Sequence, residues 1–174
     1  TTSLKAFEAK LVGIGVSCKK KDAWYVPLND ELDADLVMSS FKELLEDESI
    51  SVFGQNIKYD YKVLLNHGIR IANISFDTLL ASFLINPSSN FHDLDSQALQ
   101  SLNYRKISTK SLIGSGKNQL TMDFVAVQDV SQYCCEDVDI TFQLKKIHEK
   151  ELKKRGLTKL YTEMDLPLVK VLGD

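Results

Sequence analysis

The chain predicts an α/β fold, and three observations carry that prediction. Short apolar, β-branched runs alternate with stretches of helical period; one run ends at Gly54 and passes directly into a helical stretch; and the hydrophobic share, 44% of 174 residues, suits one substantial core.

In chain order, Lys10 to Val16 reads as a buried strand. Ala23 to Leu28 is its antiparallel partner across a polar turn from Lys19 to Asp22. From Asp35 to Asp47 the apolar residues Leu36, Val37, Phe41, Leu44 and Leu45 fall at helical spacing, and Ser49 to Phe53 supplies the strand that ends at Gly54. A helix continues to Asn66 and stops at His67-Gly68, where glycine caps it. Ile71 to Phe76 is a further strand, Asp77 to Ile85 a helix closed by Asn86-Pro87, and Asp93 to Leu102 another. Tyr104 to Asn118, with Gly114 and Gly116, reads as loop. Asp129 to Lys154 reads as one long amphipathic helix. Asp165, Pro167, Leu166, Val169 and Leu172 look like the opening of a helix that needs a neighbouring surface, which suggests a piece of a longer protein.

Composition narrows the function classes. No apolar stretch approaches the roughly 20 residues of a membrane span, so no membrane partner is expected. The opening residues lack the basic, apolar and small-residue succession of a signal peptide, so a cytoplasmic protein is expected. Cys18, Cys134 and Cys135 are odd in number, and two are adjacent in a helix, a poor basis for a disulfide or a zinc site. A formal charge of −3 supplies no bulk positive field for nucleic acid, so any such binding rests on a local patch.

The chemistry is concentrated in two segments. Asn56 and Asp60 are four residues apart, as are Tyr133 and Asp137, so on helices each pair shares a face. Taken singly, Asp60 reads as an acid at the positive end of a helix, Asn56 as an N-cap, and Tyr133 with Asp137 as a solvated pair. Their matching spacing on two segments favours one site, and two carboxylates with a phenol suit Mg²⁺ or Mn²⁺ rather than zinc. Arg105, Lys106, Lys110 and Lys117 fall in a stretch with no acid, which reads equally as a phosphate-holding segment or a solvated basic loop. His67, His92 and His148 are scattered and read as structural or exposed.

Gly54-Gln55-Asn56-Ile57-Lys58-Tyr59-Asp60 and Tyr133-Cys134-Cys135-Glu136-Asp137 resemble the second and third motifs of the 3′→5′ exonuclease domain of bacterial DNA polymerase I. Phe76-Asp77-Thr78, Gly114 to Thr121 and the tail Met164 to Leu172 extend the resemblance over nearly the whole chain. These stretches favour that family over ribonuclease D. The resemblance implies a ribonuclease H-like mixed sheet flanked by helices. It implies an exonuclease domain over residues 1–155, and a connector with the start of a polymerase-domain helix over 156–174.

It further implies two divalent metal ions, Mg²⁺ or Mn²⁺, with Asp60 and Asp137 as ligands and Asp60, Tyr133 and Asp137 as the catalytic set. The implied partners are a single-stranded DNA 3′ end and a polymerase domain of the same longer chain. Leu4, Asn56, Tyr59, Arg105, Lys110 and Lys117 are the implied substrate contacts, although Thr109 stands where the family has an aromatic residue. Gln132 stands where a histidine-using variant has its base, so the tyrosine version applies. The family's first motif, Asp-x-Glu on a central strand, precedes the stretch that Thr1-Thr2-Ser3-Leu4 resembles, and both acids are absent from this chain. The sheet is therefore expected to lack its middle strand, which is expected to lie upstream. An exonuclease-like brace without activity and ribonuclease D-like RNA trimming are the alternatives.

Overall fold

The computed structural model describes residues 1–29 and 31–174. After a 3₁₀ turn at Ala6–Glu8 come the antiparallel strands β1 (Gly13–Lys19) and β2 (Asp22–Pro27), with Gly15 opposite Tyr25 and Lys19 opposite Asp22. Both strands run further into the turn than the sequence suggests. Lys20 and Lys21 alone make the reversal, with Lys21 at φ 62°, and the register slips between Ser17 and Lys19, a bulge that sharpens the local twist.

Helix α1 (Ala34–Glu46) begins where the Asp33 carboxylate accepts from the Asp35 and Leu36 amides, satisfying donors that a helix start leaves open. Strand β3 (Val52–Gly54) leads to α2 (Ile57–Asn66). The chain then returns as β4 (Ile74–Asp77), parallel to β3, so the three elements form a βαβ unit. Then follow α3 (Thr78–Ile85), α4 (Leu94–Leu102), the short α5 (Thr109–Ile113) and the long α6 (Val127–Lys154). Helix α5 lies in the stretch read as loop. Ser108 starts it by accepting from the Ser111 amide, and Gly114 at φ 75° stops it. Among the described residues the strands form two separate pairs, β1 with β2 and β3 with β4, in keeping with the expectation of a sheet without its middle strand.

Helix α6 packs against β1, β2, α3 and α4 and so ties both strand pairs together. One core cluster joins α1, α2 and the tail through Leu45, Ile57, Tyr61, Leu64, Ile71 and Val169; a second joins β4, α3 and the end of α6 through Phe76, Ala81, Leu152 and Tyr161. Burying a side chain of this size contributes about 1.5–3 kcal/mol. Beyond α6 the chain makes α7 (Thr158–Leu160), a π-helical turn (Tyr161–Asp165) and α8 (Leu168–Val171). Tyr161 and Val169, 1% and 2% exposed, anchor this segment to the body, while Leu168, Val171 and Leu172 stay exposed.

Candidate active site

The site begins with Asp77, 1% exposed at the end of β4. Its carboxylate caps two helices at once. Oδ1 accepts from the Asn56 amide at 3.0 Å and from Leu79 at 2.8 Å, and Oδ2 accepts from Ile57 at 3.0 Å. The Tyr161 hydroxyl accepts from the Asp77 amide at 2.7 Å and donates to its carbonyl at 3.1 Å, closing the arrangement from the tail. Burial pushes the Asp77 carboxyl up, and the four amides pull it back. The cap frees Asn56 from that duty: it takes the left-handed conformation at φ 57°, which asparagine tolerates, and its side chain makes no cap bond. Asn56 thus stands just outside α2, and only Asp60 of that pair lies on the helix.

Asp60, in the first turns of α2, keeps accessible surface although protein is dense around it. Loss of hydration first, and then the nearby Asp77 charge, push its carboxyl up to about 7. Facing it, Cys134 on α6 lies within the electrostatic reach of both Asp60 and Asp137. Helix α6 comes this close because Gly15 on β1 has no side chain: a Cβ there would meet Cys134 Sγ at 2.3 Å.

Tyr133 and Asp137 share one face of α6, as their spacing predicts. Burial and the Asp137 charge push the Tyr133 phenol up to about 12, and its hydroxyl bonds Thr109 Oγ1 on α5 at 2.8 Å. Thr109, read only as a departure from an aromatic pattern, is thus a partner of the phenol. Burial pushes Asp137 up to about 6, against the pull of Lys106, whose Nζ lies 2.9 Å from Oδ1. That contact is one of charges, because Oδ1 is buried and accepts no well-directed hydrogen bond among the described residues.

Sequence reasoning missed Lys106 and Asp95. Lys106 looked like one more basic loop residue, yet its side chain is 1% exposed and pairs with Asp95 at 2.9 Å. Glu136, which could pass for surface charge, fixes the same connector by accepting from the Tyr104 hydroxyl and the Ile107 amide, both at 2.6 Å. The only sequence signal was the proximity of an aromatic and a lysine to the basic stretch, which does not mark which side chains turn inward.

The expected substrate residues divide into two groups. Tyr59 spends its hydroxyl on the amino-terminal residues, bonding Thr1 Oγ1 at 2.6 Å and the Ser3 carbonyl. Leu4 is 96% exposed beside that segment. Arg105, Lys110 and Lys117 are all exposed, on the connector, on α5 and on the turn after it, and α5 meets Tyr133 through Thr109.

Carboxylate oxygens, one of them buried without a directed hydrogen bond, are donors that a hard divalent cation accepts. Among the described residues no three His, Cys, Asp or Glu side chains gather into a cage. The fit is therefore to an ion held by one or two carboxylates, with water and phosphate completing its shell, the habit of Mg²⁺. No helix among the described residues is long and apolar enough to cross a membrane.

A 3′-5′ exonuclease family model matches residues 1–153. The DNA polymerase I of Pseudomonas aeruginosa is 36% identical over 183 residues, covering 99% of this chain and 20% of that protein. That of Borreliella burgdorferi is 33% identical over 176 residues, covering 99% and 19%. The chain thus spans about a fifth of the length of these curated relatives. Among solved structures, Brucella melitensis NrnC superposes with a TM-score of 0.72 at 22% identity, covering 99% of this chain and 77% of that one. A nuclease in its apo form gives 0.77 at 15% identity, covering 99% and 78%. These likenesses establish a ribonuclease H-like nuclease fold, with mixed strands flanked by helices. Since the matched span runs from Thr1 almost to the end of α6 and takes in both motif segments, the chain belongs to the 3′-5′ exonuclease family of DNA polymerase I.

Proposed function

We propose that this chain removes nucleotides from the 3′ end of single-stranded or frayed DNA by hydrolysing the terminal phosphodiester. In this reading it edits for a polymerase domain of the same longer chain, in the cytoplasm. The observation that carries it is Asp137: a carboxylate with a buried, undirected oxygen, on the same face of α6 as the Tyr133 phenol, in a member of this family.

Asp60 and Asp137 would hold two divalent ions, Mg²⁺ or Mn²⁺. Such a pair, when bound, supplies the positive charge that makes water nucleophilic and steadies both the attacking and leaving oxygens. Tyr133, kept protonated by its raised pKa, holds and orients the attacking water as a hydrogen-bond partner and does not act as a base. Arg105, Lys110 and Lys117 meet phosphates of the strand, while Leu4, Asn56 and Tyr59 flank its terminal nucleotide. Selectivity for errors follows from fraying: unpairing costs a few kcal/mol and least at a mismatch. A second hydrolytic site adds discrimination that polymerisation alone lacks.

The test is terminal cleavage of single-stranded DNA with Mg²⁺ by the protein at its natural length. Asp60→Asn and Asp137→Asn are each expected to slow it at least about a hundredfold, or roughly 2.7 kcal/mol of transition-state stabilisation. Unchanged rates in both would leave a bracing role without catalysis, the reading favoured by the Lys106 ammonium standing against Asp137. The likeness to NrnC is one of fold, so DNA and RNA strands of the same sequence belong side by side in the assay.

A further inference from the structure

Lys106 lies on the connector between α4 and α5 with its side chain 1% exposed. An ammonium removed from water to that degree needs oxygens in place of its hydration shell. Three supply them: Asp95 Oδ1 at 2.9 Å, the Ile107 carbonyl at 2.7 Å and Asp137 Oδ1 at 2.9 Å. The Tyr133 ring lies beneath, its centroid 4.7 Å from Nζ, within cation–π range.

The three contacts differ in kind. Those to Asp95 and Ile107 are directed hydrogen bonds, whereas Asp137 Oδ1 receives charge without direction. The lysine is anchored on the α4 side and leans on Asp137. Asp95 is half exposed, so it keeps water access and can hold the ammonium without Asp137.

We propose that Lys106 is a tethered competitor for the cation site at Asp137: it balances that carboxylate when no divalent ion is present and falls back on Asp95 when one enters. This rests on the reading of Asp137 as an ion ligand. Lys106 lowers the affinity of that position, since a divalent ion arrives against a positive charge already in contact with its ligand. Asp95 works in the opposite sense, because the firmer its hold, the more readily Lys106 releases Asp137. Lys106 is therefore a positioning residue that acts through Asp137.

Mn²⁺ titration of the natural-length protein without DNA, read by loss of the free-ion electron paramagnetic resonance signal, tests this. Asp137→Asn defines which bound Mn²⁺ depends on Asp137. For that class, Lys106→Met is expected to tighten binding about tenfold, as removal of a like charge at this range implies. Asp95→Asn is expected to weaken it severalfold, and Lys106→Arg, which keeps the charge, is expected not to tighten it. A purely structural ion pair would move Lys106→Met and Asp95→Asn in the same direction.

Binding that is unchanged or weaker in Lys106→Met, with Asp137→Asn still weakening it, overturns the proposal and leaves Asp137 a ligand. Should Lys106→Met fail to fold, Asp95→Asn decides, and unchanged or tighter binding there overturns the proposal. Mn²⁺ binding indifferent to Asp137→Asn removes the ligand reading and this inference with it.

Discussion

The close approach of β1 and α6 is set by a missing side chain. A Cβ on Gly15 would lie 2.3 Å from Cys134 Sγ and 3.3 Å from Val138 Cγ1. Gly15→Ala is expected to destabilise the protein by roughly 1–3 kcal/mol, as overpacking does, in urea unfolding. Adding Cys134→Ala is expected to return most of that loss, a coupling visible in a double-mutant cycle. The sequence placed Gly15 on a strand and Cys134 on a helix, but nothing local to either says that they meet. Tyr133 and Asp137 were legible because four residues on one helix is itself a geometry. Lys106 was not, because the same lysine is a phosphate contact or a buried counter-ion depending on where α4 and α6 bring Asp95 and Asp137.

Among the elements, α6 carries both the site and a pH-sensitive packing contact. His148, 6% exposed, bonds Gln97 Oε1 on α4 at 2.6 Å, and burial pulls it down to about 4. Its folded pKa lies below its unfolded one, so its contribution is complete above about 6.5 and is lost as pH falls to about 4, at most roughly 3 kcal/mol. Asp60 and Asp137 have the opposite sign. Raised from 3.8 to about 7 and about 6, they favour the ion-free fold at low pH, an advantage that is lost as pH rises through those values. Urea unfolding in chelator across pH 4–7 is therefore expected to show partly cancelling trends, and the Asp60→Asn, Asp137→Asn double variant a steeper acid loss. A parallel decline in both proteins would contradict the Asp60 and Asp137 assignments, and a double variant with no acid loss would contradict that of His148. Elements of this length declare themselves in sequence through their period, and the structure adds the caps Asp33, Asp77 and Asp93 for α1, α3 and α4. Helix α5 spans five residues, too few for a period to emerge, and two glycines beside it point toward loop.

For the molecule as a whole, the polypeptide after α6 is not a loose trailer. Tyr161 clasps Asp77 by both its amide and its carbonyl, and Asp77 in turn holds the first two amides of the Asn56–Ile57 corner from which Asp60 projects. Tyr161→Phe is expected to keep the ring in its core cluster while broadening or shifting the Asn56, Ile57 and Asp60 amide resonances. Resonances that stay put would mean that Asp77 needs no help from the tail. Where the clasp holds, only two hydrogen-bonded steps separate the Tyr161 ring from the start of α2, so loosening of the carboxy-terminal segment is expected to register at the other end of the sequence.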